Sequence, residues 1–158
     1  MTTLFGKLMR SVLTLLAAVF VTSAAAADDH RGTAEEAQIM VGQAVAYFDE
    51  FGAEKTFAKI NNDPAPMFRE GDLYVFVFDG AGVVVAHGVD TSLVGKDAMQ
   101  FKDVDGKLFG KEMLEVAGMD GAWVDYKWVD PVTGEVEPKS SWVVLHDGYV
   151  FGAGIYKP

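Results

Sequence analysis

The dipeptide Asp147-Gly148 separates two β-dense runs, 137–146 and 149–156, and constrains this chain more than any other short stretch. A two-residue Asp-Gly turn matches the right-handed twist of its flanking strands, so the two runs must pair as a hairpin. A third run, 122–129, precedes them across a turn that holds Asp130-Pro131 and Gly134. The C-terminal part therefore reads as three consecutive antiparallel strands.

A second hairpin lies upstream. Residues 73–78 (LYVFVF) are bounded by Gly71 and by Asp79-Gly80-Ala81-Gly82, and are answered by residues 83–87. Their near-continuous apolar character implies cover on both faces.

Ahead of these strands, Thr33 and Glu36 form a capping box that opens a helix. Ala37, Met40, Val41, Ala44, Val45, Phe48 and Phe51 recur at helical spacing, Gly52 interrupts, and Phe57 and Ile60 carry the apolar face further. The cluster NNDPAP at 61–66 ends the helix, because neither proline can donate a backbone hydrogen bond. Residues 88–107 read as irregular, and residues 108–117 as a helix with a glycine C-cap at Gly118. The expected fold is α+β: a long N-terminal helix packed on a five-stranded antiparallel sheet.

The first 27 residues read as a secretory signal. Lys7 and Arg10 precede an apolar run at 11–21, and small residues at 23–27 suit cleavage after Ala27. The run is too short to span a bilayer, which takes about 20 residues. Residues 28–36 read as a flexible leader and helix start, and residues 37–158 as one domain. Of 13 basic residues the signal removes two, which leaves 11 against 23 acidic ones, about −12. Such a charge disfavours nucleic acid and anionic membranes as partners. Cysteine is absent, so an exported chain of this length rests on its core alone. A periplasmic location is expected.

All three tryptophans, Trp123, Trp128 and Trp142, fall in one stretch with Tyr126 and Lys139. Tyr126 and Trp128 share a strand face, and Lys139 reaches that face from the next strand if the intervening turn sets the register. An ammonium beside aromatic rings suits a carboxylate whose alkyl part the rings cover. The bland reading is an ion pair of Lys139 with Asp125 or Asp130, with ordinary packing around it. Trp123 has the opposite parity and is expected in the core. His87 ends its strand, either solvated or offering a ring nitrogen to a guest. Tyr74 and Phe76 are candidates for a pocket floor, Phe78 for core, and Met67 and Phe68 for a lid.

Four segments together, LYVFVFDGAGVVVAH, LVGKD followed by DVDGK, WVDYKWVDPVTGEVEPKSSW and GAGIY, resemble the single Cache domains of bacterial extracytoplasmic sensors, which are PAS-like in architecture. The likeness runs from about Ala37 to Tyr156. It implies a pocket for a small extracellular molecule, enclosed by the sheet and the segments around it. It also implies a role in signal transduction or chemotaxis. Family members are commonly joined to a histidine kinase or chemoreceptor, whereas this sequence ends soon after its last strand, so a free-standing binding module is expected. Its partners would be a small organic solute, carboxylate favoured and amine possible, and a separate membrane kinase or receptor. An amine guest would rely on Asp125 instead of Lys139.

Other chemistries fit poorly. Asp103, Asp105, Gly106 and Glu112 match part of a calcium-loop template, but its first place is Phe101, which cannot ligate. Ser140, Ser141, His146 and Asp147 supply the letters of a hydrolase without its arrangement. GAGIY opens no helix and so makes no phosphate loop. No catalytic residue, metal site or cofactor is expected.

Overall fold

The computed structural model describes residues 31–157; the signal segment and most of the leader lie outside the described residues. Helix α1 spans Ala34–Asn62 and is broken at Gly52, whose φ of 80° and ψ of 172° are not helical. Its start is the expected capping box: Glu36 N–H donates to Thr33 Oγ1 at 3.2 Å, and Thr33 N–H donates to Glu36 Oε2 at 2.8 Å. Asp63 caps the other end in extended conformation, one residue before Pro64.

Six strands follow, β1 (Arg69–Glu70), β2 (Leu73–Asp79), β3 (Val84–His87), β4 (Ala122–Val129), β5 (Val136–His146) and β6 (Tyr149–Tyr156). All pairings between them are antiparallel, in the order β1-β2-β6-β5-β4, and β3 shares the outer edge of β2 with β1. The sheet thus has one strand beyond the five expected. The extra one, β1, has two residues, too few to leave a periodicity in the sequence.

The two faces of the sheet carry separate cores. On one, Ala37, Met40, Val41, Ala44, Phe48 and Ile60 of α1 pack on Val75, Val77, Phe151 and Ala153. On the other, Tyr74, Phe76, Phe78, Val124, Tyr126, Val143 and Val150 lie beneath helix α2 (Phe109–Val116) and the one-turn 3-10 helices at Thr91–Leu93 and Ala98–Gln100. This double cover explains why residues 73–78 are apolar without alternation.

Two local expectations are corrected. Helix α2 ends at Val116 with Ala117 as its cap, and Gly118, instead of taking a left-handed cap, bridges to Val144 of β5. Trp123 is not core: it has the opposite parity from Tyr126, as expected, but is 37% exposed and packs on Trp142 with ring centroids 5.4 Å apart. Strand β4 is the sheet's edge, and α1 covers β2, β6 and β5 instead.

Candidate functional site

The face opposite α1 holds an aromatic cavity with about 280 Å³ of space between atoms, part of it open to solvent and little of it wide enough for a water molecule. Its floor is Tyr74, Phe76 and Phe78 of β2, His87 of β3, and Tyr126 and Trp128 of β4. Alternation along each strand places these side chains on one face. Leu93, Phe101, Phe109 and Met113 form its roof. Phe109 stacks on Tyr126, with centroids 4.3 Å apart and planes 13° apart, and meets Trp128 edge-on at 5.2 Å. A β-carbon at Gly110 would lie 2.0 Å from the Ala98 carbonyl oxygen, so only glycine lets α2 press this closely on the preceding turn.

Lys139 stands directly across from Tyr126 on β4 and from Tyr156 on β6, so all three side chains share the cavity face. The lysine is 1% exposed. Its Nζ donates to Tyr74 Oη at 2.7 Å and to Tyr156 Oη at 3.2 Å, and lies 3.9 Å from the centre of the Tyr74 ring. Lys139 does not itself line the cavity; it adjoins Tyr74 and Tyr126, which do. Glycine makes its place: a β-carbon at Gly154 would fall 2.7 Å from Lys139 Cε and 2.1 Å from Ser141 Oγ.

The expected alternative, an ion pair with Asp125 or Asp130, does not form. Asp125 has the other strand parity and binds Lys157 at 2.8 Å, while Asp130 binds Arg31. Among the described residues no carboxylate lies within 4.0 Å of the Lys139 ammonium. Burial holds its pKa well below the usual lysine value, although Asp72 and Asp130 pull it upward. Asp125 is therefore also out of reach of a guest in the aromatic cage.

His87 is 5% exposed, so the solvated reading is set aside. Its Nδ1 accepts from the Asp90 N–H at 3.0 Å and, more weakly, from the Val89 N–H at 3.4 Å. The ring's proton consequently sits on Nε2, which has no hydrogen-bond partner among the described residues. Burial first, and Lys139 second, lower its pKa to about 4, so the ring is a neutral donor at pH 7. Asn61 anchors this strand end: its Oδ1 accepts from His87 N–H at 2.9 Å and its Nδ2 donates to Val85 O at 3.2 Å.

Met67 and Phe68 are not brought to the cavity. Strand β1 pairs Arg69 with Tyr74, so Phe68 lies beside Val75 and shares its face, toward α1. There it is 2% exposed and meets Tyr47 edge-on at 5.6 Å, while Met67 is 52% exposed. The short β1 turn that fixes this parity left no sequence signal. Phe101, Phe109, Met113, Leu93 and Tyr156 were not singled out from sequence, although 109 and 113 fall on the apolar stripe of α2.

An open groove of about 800 Å³ lies outside the cavity, lined by Arg69, Val89, Asp90, Val129 and Pro131. His87 and Trp128 line both spaces, so these two side chains stand between the aromatic interior and solvent.

Comparison with known proteins agrees with this architecture. A family model, single Cache domain 2, matches residues 33–156. A curated relative, the sensor histidine kinase MctS of Rhizobium johnstonii, is 33% identical over 87 residues, which are 54% of this chain and 19% of the kinase. The chain thus spans about a fifth of that relative's length. Among solved structures, a methyl-accepting chemotaxis protein from Vibrio parahaemolyticus superposes with a TM-score of 0.65 at 24% identity, over 77% of this chain and 86% of its own. A Cache chemosensory domain described for its carboxylic acid recognition superposes with a TM-score of 0.66 at 22% identity, over 78% and 92%. With its helix, sheet and family match in agreement, the chain belongs to the single Cache domain family and is a Cache sensor domain similar to those of chemoreceptors and histidine kinases.

Proposed function

We propose that this chain is a periplasmic solute-binding sensor domain that takes a short organic acid into the aromatic cavity, without chemistry, and acts with a membrane sensor kinase or chemoreceptor. One observation carries the reading: among the described residues a fully buried lysine, held only by phenol oxygens, stands at the aromatic cavity with no carboxylate partner. Burying an ammonium without a counter-ion costs several kcal/mol, and the carboxylate of a guest would offset that cost. The Nε2–H of His87 and the hydroxyl of Tyr74 supply further donors around such a group, while Phe76, Phe109 and Trp128 cover its alkyl part. The narrow space favours acids of two to four carbons and requires His87 and Trp128 to part on entry.

The same narrowness favours a second reading, in which the cavity is filled by its own side chains and the domain docks a protein partner with no solute. Thermal unfolding with a panel of acetate, propionate, butyrate, succinate and simple amines separates the two. An acid at 100 times its dissociation constant should add about 2.7 kcal/mol of stability. Silence across the whole panel, with tight capture of a receptor ectodomain, rejects the solute reading.

A further inference from the structure

Lys139 is uncommitted because the acids around it are committed elsewhere. Asp72, in the β1–β2 turn, and Asp130, at the end of β4, are both 0% exposed, and both act on the lysine through space. Two buried carboxylates whose charge reaches a buried ammonium would ordinarily pair with it. They are instead held by a residue from ahead of α1. Arg31 donates through Nη1 to Asp130 Oδ2, lies 3.5 Å from Asp72 Oδ2, and places Nη2 3.9 Å from Glu137 Oε2. The next residue completes the tie, because Gly32 N–H donates to Asp72 Oδ1 at 2.8 Å. Arg31 and Gly32, read from sequence as mobile leader, are thus fastened across the sheet to two turns. Asp130 also accepts from Val132 N–H at 2.7 Å and spends its remaining capacity on its own turn. Among the described residues Asp72 Oδ2 has no hydrogen-bond partner, so the guanidinium charge is what compensates it.

We infer that Arg31 is the specificity-determining residue of the pocket: by neutralising Asp72 and Asp130 it leaves the Lys139 ammonium free to receive an acid and keeps the site selective for anions. This rests on the acid-binding reading given above. Without the guanidinium, one or both carboxylates would turn to Lys139, and their uncompensated charge would repel a carboxylate guest. The groups facing Lys139 are Tyr74 from β2, His87 from β3, Tyr126 from β4, Tyr156 from β6 and the two aspartates from the turns. Of these groups only the two aspartates are carboxylates, so they are the ones whose compensation matters.

Calorimetric titration of propionate into wild type, Arg31→Gln, Arg31→Lys and the double variant Arg31→Gln/Asp130→Asn tests this. Arg31→Gln should weaken propionate by about tenfold or more, Arg31→Lys by less than about threefold, and the double variant should regain most of the loss. The pH profile adds a readout that a purely structural role would not move. In wild type, affinity falls as pH rises through the titration of Lys139; in Arg31→Gln the uncompensated aspartates hold that proton longer, so the fall moves to higher pH. Equal propionate affinity in wild type and Arg31→Gln, with only a lower Tm, overturns the inference and leaves acid binding intact. A loss in Arg31→Gln that Asp130→Asn does not relieve also overturns it. If wild type itself takes no propionate or other acid, the underlying reading fails and the inference falls with it.

Discussion

Replacing Lys139 by methionine should make this domain more stable and unable to respond to an acid. The lysine is 1% exposed, and its ammonium is held at 2.7 and 3.2 Å by two phenols, with no carboxylate within 4.0 Å among the described residues. The protein meets a desolvation penalty of several kcal/mol, either by keeping a bare charge or by releasing the proton. Methionine matches the lysine stem in length and vacates only the position of the ammonium. Nor does its loss strand a polar group. Tyr156 still donates to Val129 O at 2.6 Å, Tyr74 Oη stays 3.4 Å from Tyr156 Oη, and Asp72 and Asp130 keep Arg31. Replacing buried charges by well-packed apolar groups is neutral to stabilising by about 1–4 kcal/mol, and about 2 kcal/mol is expected here. For a domain of this size that is a rise in Tm of roughly 6–10 °C. Differential scanning calorimetry of both proteins, with and without millimolar propionate, reads both effects. A fall in Tm of similar size together with an undiminished propionate response would refute the reasoning.

Further outcomes follow from the same geometry. Because His87 is neutral when folded, with a pKa near 4 against 6.5 for the free ring, the unfolded chain binds the extra proton first as pH falls. Stability should therefore drop by about 3 kcal/mol between pH 6.5 and 4, with the upper part of that window lying above the range where carboxylates titrate, and denaturant melts of His87→Gln should lack that component. Gly154→Ala should cost about 1–3 kcal/mol and weaken propionate, since its methyl would press on Ser141 Oγ and Lys139 Cε; a full-affinity variant of wild-type Tm would contradict the packing. Thr33→Ala removes one arm of the capping box and should lower stability by about 1 kcal/mol in urea melts without touching propionate affinity.

The fold was legible wherever a local rule acts alone. The Asp147-Gly148 turn, the Thr33/Glu36 box, the Gly52 break and the apolar runs of β2 and β4 each rest on contacts close in sequence or on strand alternation. The pairing of Tyr126 with Lys139 was legible too, because one turn separates them. What escaped depends on distant segments. Strand β1 exists only because β2 is beside it, and its two residues decide that Phe68 faces α1 and not the cavity. The roof residues Phe101 and Phe109 sit in a stretch whose polarity conceals how it folds over the sheet. The pairing of Arg31 with Asp130 spans 99 residues, and no periodicity could reveal it. Trp123 shows the complementary limit: parity gave its face, while its exposure depends on how far α1 reaches across the sheet.

A crystal structure of the domain soaked in propionate would show whether Lys139 receives an acid. The expected result is a carboxylate within hydrogen-bonding distance of Lys139 Nζ, its alkyl end against Phe109 and Trp128, and His87 and Trp128 shifted from their present contact with the cavity. Propionate absent, or confined to the outer groove beside Arg69 with the lysine still bound to Tyr74 and Tyr156, would contradict it.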